Sequence, residues 1–172
     1  LDRIAVANAS PLIFLSRASL LHLLQHFARR ILVPAPVHSE IREKGSDSDD
    51  ITVRALEISP WIEVVSPPPV PEQILGWGLG PGESSVLALA YANQGMEAII
   101  DDLAGRRCAS LLGIPVRGTL GIVLAAKKRG IIPQAPTRLT IRAQNLDCLF
   151  EQIRVRPRSD EAKFTALDAV NQ

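Results

Sequence analysis

Short apolar runs recur along this chain with helix-like segments between them, and that alternation constrains the fold more than any single motif. Ile4-Ala5-Val6-Ala7, Ile31-Leu32-Val33, residues 61–65, Ala98-Ile99-Ile100 and residues 114–116 read as strands. A helix is predicted after the first strand, with Ser10 as its N-cap and Pro11 at its first helical position. A second is predicted over 20–27, where Leu20, Leu21, Leu23, Leu24 and Phe27 recur at helical spacing. Further helices are expected from Pro34 and Pro36 to near Gly45, after a polar loop over 51–58, and over 83–93. Two more should come after Asp101-Asp102 and Gly118-Thr119, the latter ending at Gly130. Strands that alternate with helices need crossover connections, which argues for a parallel sheet covered on both faces. The fold class is α/β.

The 172 residues suffice for about one domain, expected over 1–133, with an extension over 134–172 that holds a helix near 139–150 and a weakly patterned tail. The four prolines of 66–71 make a stiff connector, not a domain linker. Aromatics are only 4% against 47% apolar, which favours helices on an aliphatic sheet over an aromatic-rich sandwich. A net charge of +1 excludes a globally basic nucleic-acid binder, so any such contact must come from a local patch. Cys108 and Cys148 are far apart and only His22, His26 and His38 accompany them, which argues against zinc and for thiols in a reducing compartment. No apolar run approaches the ~18 residues of a membrane span and no secretory pattern opens the chain, so a cytoplasmic protein is expected.

The acids carry the chemistry. Asp101 and Asp102 directly follow an apolar strand, at the carboxyl end where open parallel sheets bind ligands. Adjacent carboxylates there repel one another unless a cation, an arginine or water relieves them. Glu83 falls in the first turn of its helix, where the bland reading is an acid–dipole interaction of ~0.3–1 kcal/mol. Glu40 borders an apolar helix face and has Lys44 four residues on, the spacing of an ordinary helical ion pair. Arg106-Arg107 and Lys127-Lys128-Arg129 read as solvated helix faces, or as phosphate contacts near the strand ends. The alternating glycines 76, 78, 80 and 82 lack the Gly-Lys-Ser/Thr of a P-loop and suggest a mobile lid or connection. No serine or cysteine has a credible histidine partner for nucleophilic catalysis.

Taken in order, these segments resemble one branch of the PIN-domain nucleases. Val6-Ala7-Asn8-Ala9-Ser10-Pro11-Leu12-Ile13 resembles its opening, Val37-x-x-Glu40-Ile41 its second acidic motif, and Gly82-Glu83 with Ala88-Leu89-Ala90 its third. Ile100-Asp101-Asp102 with Ala104-x-Arg106-Arg107 resembles the fourth, and Gly118-Thr119-Leu120-Gly121 resembles the next segment of that branch. The resemblance covers about residues 4–132. It implies a three-layer fold with a small, mainly parallel sheet flanked by helices. It also implies an acidic pocket that holds Mg²⁺ or Mn²⁺ between Glu40, Glu83 and Asp101 or Asp102 and cleaves RNA, as in toxins inhibited by a small antitoxin and commonly dimeric. Of the adjacent aspartates, Asp102 is the expected match to the family's fourth acid.

Two departures stand out. The first acid of most active members is Asn8 here, which offers hydrogen bonds but no negative charge. The residues after Pro133 do not look like the end of that branch. Asn8 and Ser10 are then expected to orient a water or phosphate oxygen, with Arg106, Arg107 and Thr119 as further substrate contacts. The competing reading is a PIN scaffold that binds RNA or a protein without cutting. A receiver-type phosphoacceptor domain fits poorly, because its acidic pair belongs at the first strand.

Overall fold

The computed structural model describes residues 3–44 and 50–132. Five strands form one all-parallel sheet: β1 (Ile4–Ala7), β2 (Arg30–Pro34), β3 (Ile62–Val65), β4 (Glu97–Ile99) and β5 (Val116–Arg117), in the order β3-β2-β1-β4-β5. Ala5 pairs with Ile31 on one side and with Glu97 on the other, so β1 is the central strand. Ala5, Val6 and Ala7 are all buried, as a strand covered on both faces requires.

Seven helices flank the sheet among the described residues: α1 (Ala9–Arg17), α2 (Ala35–Lys44), α3 (Ile51–Glu57), α4 (Glu72–Leu75), α5 (Pro81–Ala92), α6 (Leu103–Leu111) and α7 (Thr119–Lys128). The most deeply set is α5, which lies against β1, β2 and β4 and is buried from Ser84 to Ala90. Its apolar residues Val86-Leu87-Ala88-Leu89-Ala90 leave it no solvated face along that stretch. Its two serines are satisfied locally, Ser84 Oγ donating to the Leu79 carbonyl at 3.4 Å and Ser85 Oγ to that of Gly82 at 2.8 Å.

Several local expectations shift. Asn8, not Ser10, is the residue that precedes α1, and it has extended backbone (φ −84°, ψ 167°). Ser10 and Pro11 therefore fall inside the first turn, where the missing proline N–H costs nothing because that donor has no helical partner anyway. Residues 21–26 form a 3-10 segment and not an α-helix. Ser19, at φ 59°, ends α1 just before it, and β2 begins at Arg30 just after. Of the two expectations for the glycine-rich stretch before α5, lid or connection, the structure has a connection with Trp77 and Leu79 packed against the core. The short helix α4 is not legible in the sequence. The expected end of α2 at Gly45, the loop over 46–49, Cys148, the helix over 139–150 and the extension over 134–172 lie outside the described residues. Among those described, no helix is long and apolar enough to cross a membrane. Cys108 is fully buried, and burial pushes its thiol pKa up, so it is held protonated and unreactive.

Asp50 starts α3 by accepting from the backbone N–H of Thr52 at 2.7 Å and of Val53 at 3.4 Å. Burial opposes its charge, but these bonds and Arg17, 3.9 Å away, hold its carboxyl below the ordinary value. A folded-state pKa below the unfolded one gives stability that is present at neutral pH and lost as pH falls through the folded value. Asp50→Ala is expected to cost about 1 kcal/mol at pH 7. In denaturant titrations, the gap from wild type should close below the ordinary carboxylate range.

Candidate active site at the strand ends

The connections from β1 run outward to β2 and β3, whereas β4 and β5 lie on its other side, so the strand order reverses between β1 and β4. The carboxyl ends of two such strands bound a crevice. Here they are tied together by the Asn8 N–H, which donates to the Ile99 carbonyl at 3.0 Å. Asn8 and Asp101 thus emerge on neighbouring strands at the point where a ligand is best received.

Asn8 is only 1% exposed. Its Nδ2 donates to Glu83 Oε1 at 3.1 Å, and its Oδ1 is buried with no hydrogen-bond partner. The orientation of the amide follows from chemistry, since an ionised Glu83 can only accept. Glu83 reaches Asn8 because it lies in the first turn of α5. That turn approaches α2 closely at Gly82. A Cβ on Gly82 would stand 2.7 Å from Glu40 Oε2, 3.2 Å from Asn8 Oδ1 and 3.6 Å from Val37 Cγ2. Glu40 is split between two roles. Its Oε1 accepts from Lys44 Nζ at 2.6 Å, the helical pair its spacing predicts, while Oε2 faces the Asn8–Gly82 side.

A second group lies at the end of β4. Asp101 accepts from the Thr119 backbone N–H at 2.7 Å through Oδ1 and from its hydroxyl at 2.5 Å through Oδ2. The carboxylate therefore anchors the start of α7. A Cβ on Gly118 would stand 2.5 Å from Arg106 Nη1 and 3.0 Å from Asp101 Oδ1, so the guanidinium and carboxylate share that space. Arg106 Nη1 also donates to the Ile100 carbonyl at 3.4 Å. Asp102 turns away to cap α6, its Oδ2 accepting from the Gly105 N–H at 2.7 Å. The two consecutive side chains diverge, each accepting from the free N–H groups of a different helix start: Asp101 at α7 and Asp102 at α6. Arg107 is exposed and Ser10 half-buried in the first turn of α1.

The structure thus brings Asn8, Glu40 and Glu83 together, and Asp101, Arg106 and Thr119 together. Among the described residues no three His, Cys, Asp or Glu side chains converge as a metal-holding group. The donors that do meet at α5 are two carboxylates and one amide oxygen. All are hard oxygens, and the unpartnered buried Asn8 Oδ1 is an acceptor that a cation or a donor would satisfy. That donor set fits Mg²⁺ or Mn²⁺. Sequence reasoning misses Gly82 and Gly118 as spacers that admit these side chains; their place inside the resembling motifs is the available signal.

A parallel sheet covered on both faces, with oxygen donors gathered at its switch point, is a doubly wound α/β fold. Residues 4–144 match the model of the DUF3368 family, described as a PIN domain, and the chain belongs to that family, which has a nuclease fold. No curated protein sequence matches it. Among solved structures it is similar to a PilT N-terminus domain protein from the hyperthermophilic archaeon Sulfolobus solfataricus P2. The two are 14% identical, with a TM-score of 0.49 over 79% of this chain and 99% of that one.

Gly82→Ala gives a direct check on the geometry. The atom most strongly crowded is the far end of the Glu40 side chain, which can swing away, and alanine favours the helix by up to ~1 kcal/mol. The variant is expected to melt within a few degrees of wild type while losing Mn²⁺ binding in calorimetry.

Proposed function

We propose that this PIN domain is a divalent-metal-dependent endoribonuclease resembling the toxin of a toxin–antitoxin pair. The observation that carries this reading is the buried, unpartnered Asn8 Oδ1, which borders Gly82 as Glu40 Oε2 does, with Glu83 held against the same amide. Asn8, Glu40 and Glu83 would hold Mg²⁺ or Mn²⁺. When bound, the ion supplies Lewis-acid activation of water and offsets charge on the phosphodiester. The chain's own residues do the positioning. Glu83 fixes the Asn8 amide so that its oxygen points away from the carboxylate. Arg106 offers a guanidinium to a phosphate at the end of β4, and Asp101 fixes Thr119 at the opening of α7 beside it. Asp102, spent on its cap, is outside the chemistry. An RNA strand is the substrate, met in the cytoplasm; a small antitoxin and a second copy of the chain are the partners the reading adds.

Asn8 itself favours a second reading, a scaffold that binds RNA without cutting, because it removes one negative charge from the site. Cleavage of a mixed single-stranded RNA pool with Mn²⁺, Mg²⁺ or EDTA separates the two. For a nuclease, metal-dependent cutting should fall at least a hundredfold in Glu83→Ala, the order of loss typical when a key electrostatic group is removed. Cutting seen only in Asn8→Asp would instead establish the scaffold. In the same assay Asp101→Ala should lose most activity through the freed Thr119, whereas Asp102→Ala should keep it and cost only about 1 kcal/mol of stability.

A further inference from the structure

The ion pair on α2 bears directly on how the site accepts a cation. Glu40 Oε2 and Asn8 Oδ1 both border Gly82, 2.7 and 3.2 Å from where its Cβ would stand, while Glu40 Oε1 lies 2.6 Å from Lys44 Nζ. The Lys44 side chain is 57% exposed and that of Glu40 29%, so the ammonium has water to retreat into. Asn8 contributes no charge, which leaves Glu40 and Glu83 as the formal charges at the amide. Lys44 neutralises one of them.

We propose that Lys44 is a displaceable counter-cation for this site: it occupies Glu40 in the resting protein and competes with a divalent ion for that carboxylate. The inference rests on the proposed function, in which Asn8, Glu40 and Glu83 take Mg²⁺ or Mn²⁺. Whether the ammonium swings out or stays, its charge opposes the arriving dication. An ammonium and a dication about one side chain's reach apart in a water-like dielectric repel enough to weaken binding about tenfold. Without such a neutralising group, two carboxylates packed against a buried amide would lack a counter-charge before the ion arrives. Lys44 thus lets the chain hold its acids together with no ion and sets the concentration at which the site loads.

The test is calorimetric titration of MnCl₂ into the metal-free full chain, with wild type, Lys44→Met, Lys44→Arg and Lys128→Met compared at low and high salt. Melting curves in EDTA confirm that each is folded. The expected result is about tenfold tighter Mn²⁺ binding by Lys44→Met, with Lys44→Arg close to wild type. Lys128→Met, which removes the same charge from the end of α7, should also match wild type. The gain should shrink as salt screens the exposed ammonium. Equal Mn²⁺ affinity in Lys44→Met and wild type overturns the role of Lys44 and leaves the metal site standing. No Mn²⁺ binding by any of the proteins overturns both.

Discussion

The hydrogen bond from the Asn8 N–H to the Ile99 carbonyl joins the ends of β1 and β4 where the strand order reverses. The central strand can be shared by two outward-running halves only if these ends stay in register. Once they do, the residues just past each strand emerge side by side. Asn8 then meets the start of α5, and Asp101 meets the start of α7. Both carboxylate-bearing groups are set by backbone geometry first and by side-chain contacts second.

Close approach is the next requirement, and glycine supplies it. Where α5 brings Glu83 to Asn8, Gly82 leaves space that the Glu40 carboxylate uses, and where α7 brings Thr119 to Asp101, Gly118 leaves space that the Arg106 guanidinium uses. The apolar body of α5, buried along most of its length, holds that approach rigid. The site therefore sits on elements that the core itself fixes, which is what a catalytic constellation needs.

Much of this is legible in the sequence, and the remainder is hidden for physical reasons. Apolar runs such as Ile31-Leu32-Val33 and Ala98-Ile99-Ile100 mark the strands, because a sheet covered on both faces leaves continuous apolar stretches. The helix carrying Glu83 is legible from its apolar run, although it begins at Pro81. The helix boundary falls at Asn8 and not at Ser10; both residue types can precede a helix, and only the strand pairing decides between them. The partners of Asp101 and Asp102 are not legible, because adjacency in sequence cannot tell which carboxylate faces the α6 N–H groups and which faces Thr119. The 20–27 segment has helical spacing, but apolar spacing does not separate an α-helix from the 3-10 segment that forms over 21–26. Spacing alone predicts the Glu40–Lys44 pair; it does not predict that the other carboxylate oxygen faces the buried amide.

The central claim is that Asn8, Glu40 and Glu83 form one cation site at the switch point of the sheet. Crystals soaked in MnCl₂ and measured for anomalous scattering test it most directly. The account predicts a manganese peak bonded to Asn8 Oδ1 and to carboxylate oxygens of Glu40 and Glu83, absent in Glu83→Ala crystals. A peak elsewhere, or none while metal-dependent RNA cleavage persists, would contradict it.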